Sequence, residues 1–115
     1  MITNIDINMI YSGADAPEVI TQKSGRRTYK YVPYNVNQDE NGIYTWQYVI
    51  VSPKNYNYGG LVNAIIGTKY GLDEVLAIMN NYIASPKSAV YKQEFMDMNN
   101  WRTTAKEYAK KHFNI

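Results

Sequence analysis

The sequence contains no cysteine, a single histidine, two phenylalanines and two tryptophans, and its formal net charge is only +2. Without cysteine, disulfides, thiol nucleophiles and cysteine-based zinc sites are excluded. His112 has neither a second histidine nor a thiol with which to complete a zinc set. The basic side chains are scattered from Lys23 to Lys111, so the electrostatic footprint for nucleic acid is weak. No apolar run approaches the roughly 18–20 residues that cross a bilayer, and no membrane span is expected. The opening stretch MITNIDINMIYSG has no basic start and no continuous apolar core, so no signal peptide is expected.

The motifs that carry chemistry are missing as well. There is no GxSxG around a serine, no GxGxxG and no GxxxxGK[ST]. Tyr58-Gly59-Gly60 lacks the lysine and hydroxyl that a phosphate cradle needs. Asp39-Glu40 sits in a polar reversal, NQDENG, whose Asn and Gly explain it as a turn. Asp73-Glu74 opens a helix, where the macrodipole favours negative charge. No catalytic, cofactor-binding or metal residue is assigned, and the chain is read as not an enzyme.

What the sequence has in quantity is tyrosine, 12 in 115 residues, so its aromatic surface can pack while the hydroxyls stay wet or hydrogen-bonded. One domain is expected for this length. Residues 3–11 alternate, with Ile5, Ile7, Met9 and Tyr11 on one side, and predict a half-buried strand. Residues 18–23 predict a second strand, turning at Ser24-Gly25 into a third over 26–34. Pro33 cannot donate to a ladder, which puts that end of the third strand at an edge or a bulge. Residues 43–51 predict a central strand, apolar or aromatic on both faces and covered on both sides. The strand-rich part is residues 1–53.

Helical spacing takes over after Lys54–Gly60. Leu61, Val62, Ile65 and Ile66 mark a first short helix, and Leu72, Val75, Leu76, Met79 and Ile83 mark the buried stripe of a second. Residues 58–84 thus read as a helical hairpin with a tight turn at Tyr70-Gly71. Beyond Ser85-Pro86 a helix is predicted over 87–113, roughly 40 Å long at about 1.5 Å per residue. Its stripe carries Tyr91, Phe95, Met98, Trp101, Ala105, Tyr108 and His112. The proximal half is expected to pack on the sheet, and the half beyond Trp101 to project. Tyr91, Phe95, Met98, Trp101, Arg102 and Tyr108 are accordingly the candidate protein-interaction residues, with a homo-oligomer through the long helix as one outcome. The fold class is α+β: an N-terminal antiparallel meander of three to four strands, a short helical hairpin, then the long C-terminal helix.

Two stretches carry a family resemblance. In the first, Leu61, Val62, Ala64, Ile65, Ile66, Lys69, Tyr70, Asp73, Glu74, Ile78, Asn80, Asn81 and Tyr82 fit the form LV-AII-KY--DE---I-NNY. In the second, Glu94, Phe95, Met98, Trp101, Arg102, Ala105 and Lys106 fit EF--M--WR--AK. Together they resemble small accessory proteins of tailed bacteriophages and prophages of gut Bacteroidales, and the terminal helix is also similar to tail-fibre assembly proteins. Gly71 departs from the Ser or Asp expected to cap the second helix. The resemblance implies a non-enzymatic virion-associated structural or adaptor protein that binds other tail, fibre or head proteins, found in the virion or in the host cytoplasm during assembly. A tail-fibre assembly chaperone is the alternative. A small DNA-binding regulator is the second, but the acidic opening of the 72–83 helix is the wrong sign for phosphate and base contacts. No cofactor is implied, and neither nucleic acid nor membrane is expected as a partner.

Overall fold

The computed structural model describes residues 5–115. Over residues 5–10 the predicted strand gives way to a turn. The Asp6 carboxylate accepts the Asn8 N–H at 2.8 Å, and the Asp6 carbonyl accepts that of Met9 at 3.2 Å. Short polar side chains bond to nearby backbone and compete with strand pairing, a tendency that alternation of apolar residues does not reveal. Ile7, Met9 and Ile10 are consequently exposed. Residues 3 and 4 of that expectation lie outside the described residues.

Pairing starts at β1 (Tyr11–Gly13) and continues through β2 (Ile20–Ser24), β3 (Arg27–Gln38) and β4 (Tyr44–Val51). The sheet is antiparallel throughout, in the order β1-β4-β3-β2. β2, β3 and β4 form the expected meander, while β1 crosses to the far edge beside β4, the order of a Greek key. The β3–β4 turn follows from its residues. The Asp39 carboxylate accepts the N–H groups of Asn41 and Ile43, both at 2.9 Å, and Gly42 takes the positive φ of 83° that closes the loop.

The helices are α1 (Tyr58–Ile66), α2 (Leu72–Ala84) and α3 (Ala89–Phe113), preceded by a single 3-10 turn at Pro53–Asn55. The fold is α+β, as the periodicities indicate. The main core lies between one face of the sheet and two helices. Val32, Tyr34, Val49 and Val51 pack against Leu61, Val62 and Ile65 of α1 and Ala105 and Ala109 of α3. Small residues at 105 and 109 let the α3 backbone approach the sheet closely.

Two expectations are corrected here. The distal half of α3, not the proximal half, packs on the sheet: Trp101, Tyr108 and Phe113 join Ala105 and Ala109 around the main cluster. The proximal half continues past it and pairs with α2, where Tyr82 stacks on Phe95 at 4.6 Å and Ile78 and Met98 are buried outside the main core. The reason is chain geometry. Once α1 occupies the sheet beside distal α3, the short connection to α2 leaves α2 only the overhanging part of α3. A radius of gyration of 16.5 Å, against the ~13 Å of a compact chain this size, reflects that overhang.

The stripe on α2 is also rotated from its predicted position. Ile78 is buried and Val75 and Tyr82 are half-buried, whereas Leu72, Leu76 and Ile83 are exposed. The second face of β4 differs too. No helix or strand among the described residues lies across it, and its cover is the aromatic cluster of Tyr11, Trp46 and Tyr48, with Tyr11 and Tyr48 edge-to-face at 5.3 Å.

A candidate protein-interaction groove

β3 is longer than its neighbour. β2 begins only at Ile20, opposite Tyr31, so the run Pro33–Gln38 is paired with β4 on one side only. Pro33 therefore sits where a missing N–H leaves no ladder bond unmade, as its chemistry requires. Two residues later the register shifts, and Asn35 adopts the left-handed conformation (φ 53°). Asn tolerates that region because its short amide can bond locally. Here the Asn35 amide donates to Gln47 Oε1 at 3.3 Å and its oxygen accepts the Tyr108 hydroxyl at 3.0 Å. The bulge is thus tied across to β4 and down to α3.

Along this free edge runs an open cleft of about 530 Å³. Pro33, Tyr34, Asn35, Val36, Asn37 and Gln38 form one wall. Glu107, Tyr108, Lys111 and His112, two successive turns of α3, form the other; Ala16 and Pro17, which lead into β2, lie at one end and Tyr44, opposite Gln38, at the other. An edge strand facing a helix across a groove is the geometry in which sheets accept an added strand. Main-chain groups on the edge supply hydrogen bonds, and the groove wall reads side chains.

The far wall is held by a half-buried pair. The Tyr56 hydroxyl lies 2.7 Å from His112 Nε2, and Tyr56 also packs on Phe113 with ring centroids at 5.2 Å. Burial holds the His112 pKa below its ordinary value of 6.5 and pushes the Tyr56 hydroxyl up. Tyr108 is also raised, first by burial and then by the neighbouring Tyr34 and Glu107. With the imidazole neutral, the tautomer sets the direction: the hydroxyl donates to a bare Nε2, or a protonated Nε2 donates to the hydroxyl oxygen. This wall is a structural clamp, and Glu107 is the only carboxylate among the residues lining the cleft.

The lowered His112 pKa fixes a pH dependence. The unfolded chain binds the proton more readily than the folded one, so the contribution of His112 to stability is fully present above about 6.5 and declines as pH falls through that value. As the only histidine, it gives one imidazole C2–H resonance. Its titration midpoint is expected below 6.5, and the loss of thermal stability on acidification from about pH 7.5 to pH 5.5 is expected to be smaller in His112→Gln. A midpoint at or above the ordinary value would remove the burial account.

The residues expected to contact partners are placed unevenly. Trp101 donates its indole N–H to the Ile65 carbonyl at 3.3 Å, lies under Lys69 Nζ at 4.0 Å and meets Tyr108 edge-on. Met98 is fully buried and Phe95 is stacked on Tyr82, so both serve the α2–α3 contact. Tyr91 and Arg102 are half-buried on α3. Of the six, only Tyr108 lines the groove. The groove residues 33–38 carried one visible signal, the proline inside a strand. Nothing in the sequence says that β2 stops short of them. Among the described residues, no group of three or more His, Asp or Glu could hold a metal ion, and no helix is long and apolar enough to cross a membrane. Compared with known protein families, with curated proteins and with solved structures, the chain matches none of them.

Proposed function

We propose that the chain is a non-enzymatic adaptor that binds other structural proteins of a tailed-phage particle, with the groove between the β3 edge and α3 taking an extended segment of the partner. The observation that carries the binding reading is the free edge of Pro33–Gln38, paired with β4 on its other side, facing α3 across an open cleft. The phage setting is supported by the resemblance of the 61–82 and 94–106 stretches. A retained virion component and a released assembly chaperone use the same groove and differ in what the mature particle contains.

A photo-crosslinking side chain at Ala16, which is exposed and lines the groove end, tests this in infected cells. The expected product is a covalent adduct with a head, tail or fibre protein, and mass spectrometry of purified virions is expected to find the chain in the particle. Filling the groove end with Ala16→Trp is expected to weaken partner binding at least tenfold, about 1.4 kcal/mol, without altering the circular dichroism. Adducts without retention in the particle select the chaperone. No adduct with any structural protein, or undiminished binding by Ala16→Trp, overturns the groove.

A further inference from the structure

On α2 the exposed apolar residues form a second surface, separate from the groove and independent of the reading built on it. Leu72, Leu76 and Ile83 are 74%, 49% and 73% exposed, and Met79 between them is half-buried. Their successive spacings of four, three and four residues are those of a coiled-coil seam. At about 100° per residue this seam lies roughly a quarter turn round α2 from the Ile78 face that packs on α3, so α3 cannot cover it. From Val75 to Pro86 the chain carries no charged residue, while Asp73 and Glu74 stand at the start of the helix and Lys87 just past its end.

We infer that the occupant of this seam is the same seam of a second copy, related by a two-fold axis with the two α2 helices antiparallel. In that arrangement Leu72 meets Ile83 of the second copy and Leu76 meets its Met79, so the apolar spacing is self-complementary. Each acidic helix start lies towards the other copy's Lys87, and the helix dipoles oppose. A parallel pair would bring the two acidic helix starts to the same end and align the dipoles, both unfavourable. The seam is one 13-residue helix and offers less than the ~800 Å² per partner of a standard interface. The dimer is therefore reversible and concentration-dependent, and each one presents two grooves.

Sedimentation equilibrium of the full chain from about ten micromolar to about one millimolar tests it, a range that brackets weak dimers. The expected mass rises reversibly from 13.3 kDa towards twice that value. Leu76→Glu and Ile83→Glu alter exposed positions, so they are expected to fold normally and remain monomeric. Because the chain has no cysteine, orientation can be read directly. Mixed Leu72→Cys and Ile83→Cys chains are expected to form a disulfide-linked heterodimer under mild oxidation, and Leu72→Cys alone none. A monomer at every concentration overturns the dimer and leaves the seam to an unlike partner. Dimers that survive both glutamate substitutions overturn the seam, and efficient self-linking of Leu72→Cys overturns the antiparallel geometry.

Discussion

Trp101→Ala is expected to lower the free energy of unfolding by about 3 kcal/mol, read as a fall in the urea midpoint at unchanged m-value. The indole is wedged between α1 and distal α3. Truncation removes its contact with the main core, leaves the Ile65 carbonyl without its 3.3 Å donor, and strips Lys69 of the ring it covers at 4.0 Å. A domain of this size is stable by only about 5–15 kcal/mol, so the loss is a large share of the total. The experiment also separates the two roles that the stripe on the last helix allows. A residue that packs the chain's own core lowers monomer stability. A residue that only meets a partner leaves folding intact and weakens association. An unchanged midpoint would move Trp101 to a partner surface.

Gly60→Ala is expected to cost about 3 kcal/mol, although the same change in an open helix stabilises by about 1 kcal/mol. Gly60 stands in the first turn of α1, and its N–H donates to the capping Asn57 side chain at 2.8 Å. A Cβ there would collide with the backbone carbonyl of Asn55, which no side-chain rotation can relieve. The 3-10 turn would have to shift away from α1, carrying Tyr56 from its 2.7 Å contact with His112 and loosening the groove's far wall. Gly59→Ala is the control. Its Cβ would find nothing nearer than Asn57 Oδ1 at 3.8 Å, an ordinary contact, so it is expected to be neutral or mildly stabilising. Equal midpoints for the two variants would remove the close approach as the reason for glycine at 60.

The local elements were legible in the residues. β4 and the turn before it follow from NQDENG and the aromatic, β-branched run after it. The boundaries of α2 follow from Gly71, Asp73-Glu74 and Ser85-Pro86, and α3, expected from 87, begins at Ala89 behind Ser88, whose hydroxyl accepts the Tyr91 N–H at 3.3 Å. Where the reading missed, a local interaction or a packing choice intervened. Asp6 turned residues 5–10 away from pairing, and its side-chain bonds leave no trace in the hydrophobic alternation. On α2 two apolar stripes overlap, one through Val75, Ile78 and Tyr82 and one through Leu72, Leu76, Met79 and Ile83. Periodicity cannot rank them, because the choice depends on which side α3 approaches.

Of the groove, the sequence offered Pro33 and Tyr108 and nothing that joined them. The residues are 75 positions apart, and their walls meet because β3 and α3 share the main core, with the Asn35 oxygen accepting the Tyr108 hydroxyl across the join. By itself the sequence determined the α+β class, the order of the elements, the turns and the want of cysteine chemistry, since propensity, capping and side-chain inventory are properties of neighbouring residues. Tertiary structure alone decided that β2 stops short of β3, that distal rather than proximal α3 covers the sheet, and which α2 stripe is left outside. Each of those depends on surfaces brought together from distant parts of the chain, where burial of one face excludes burial of another.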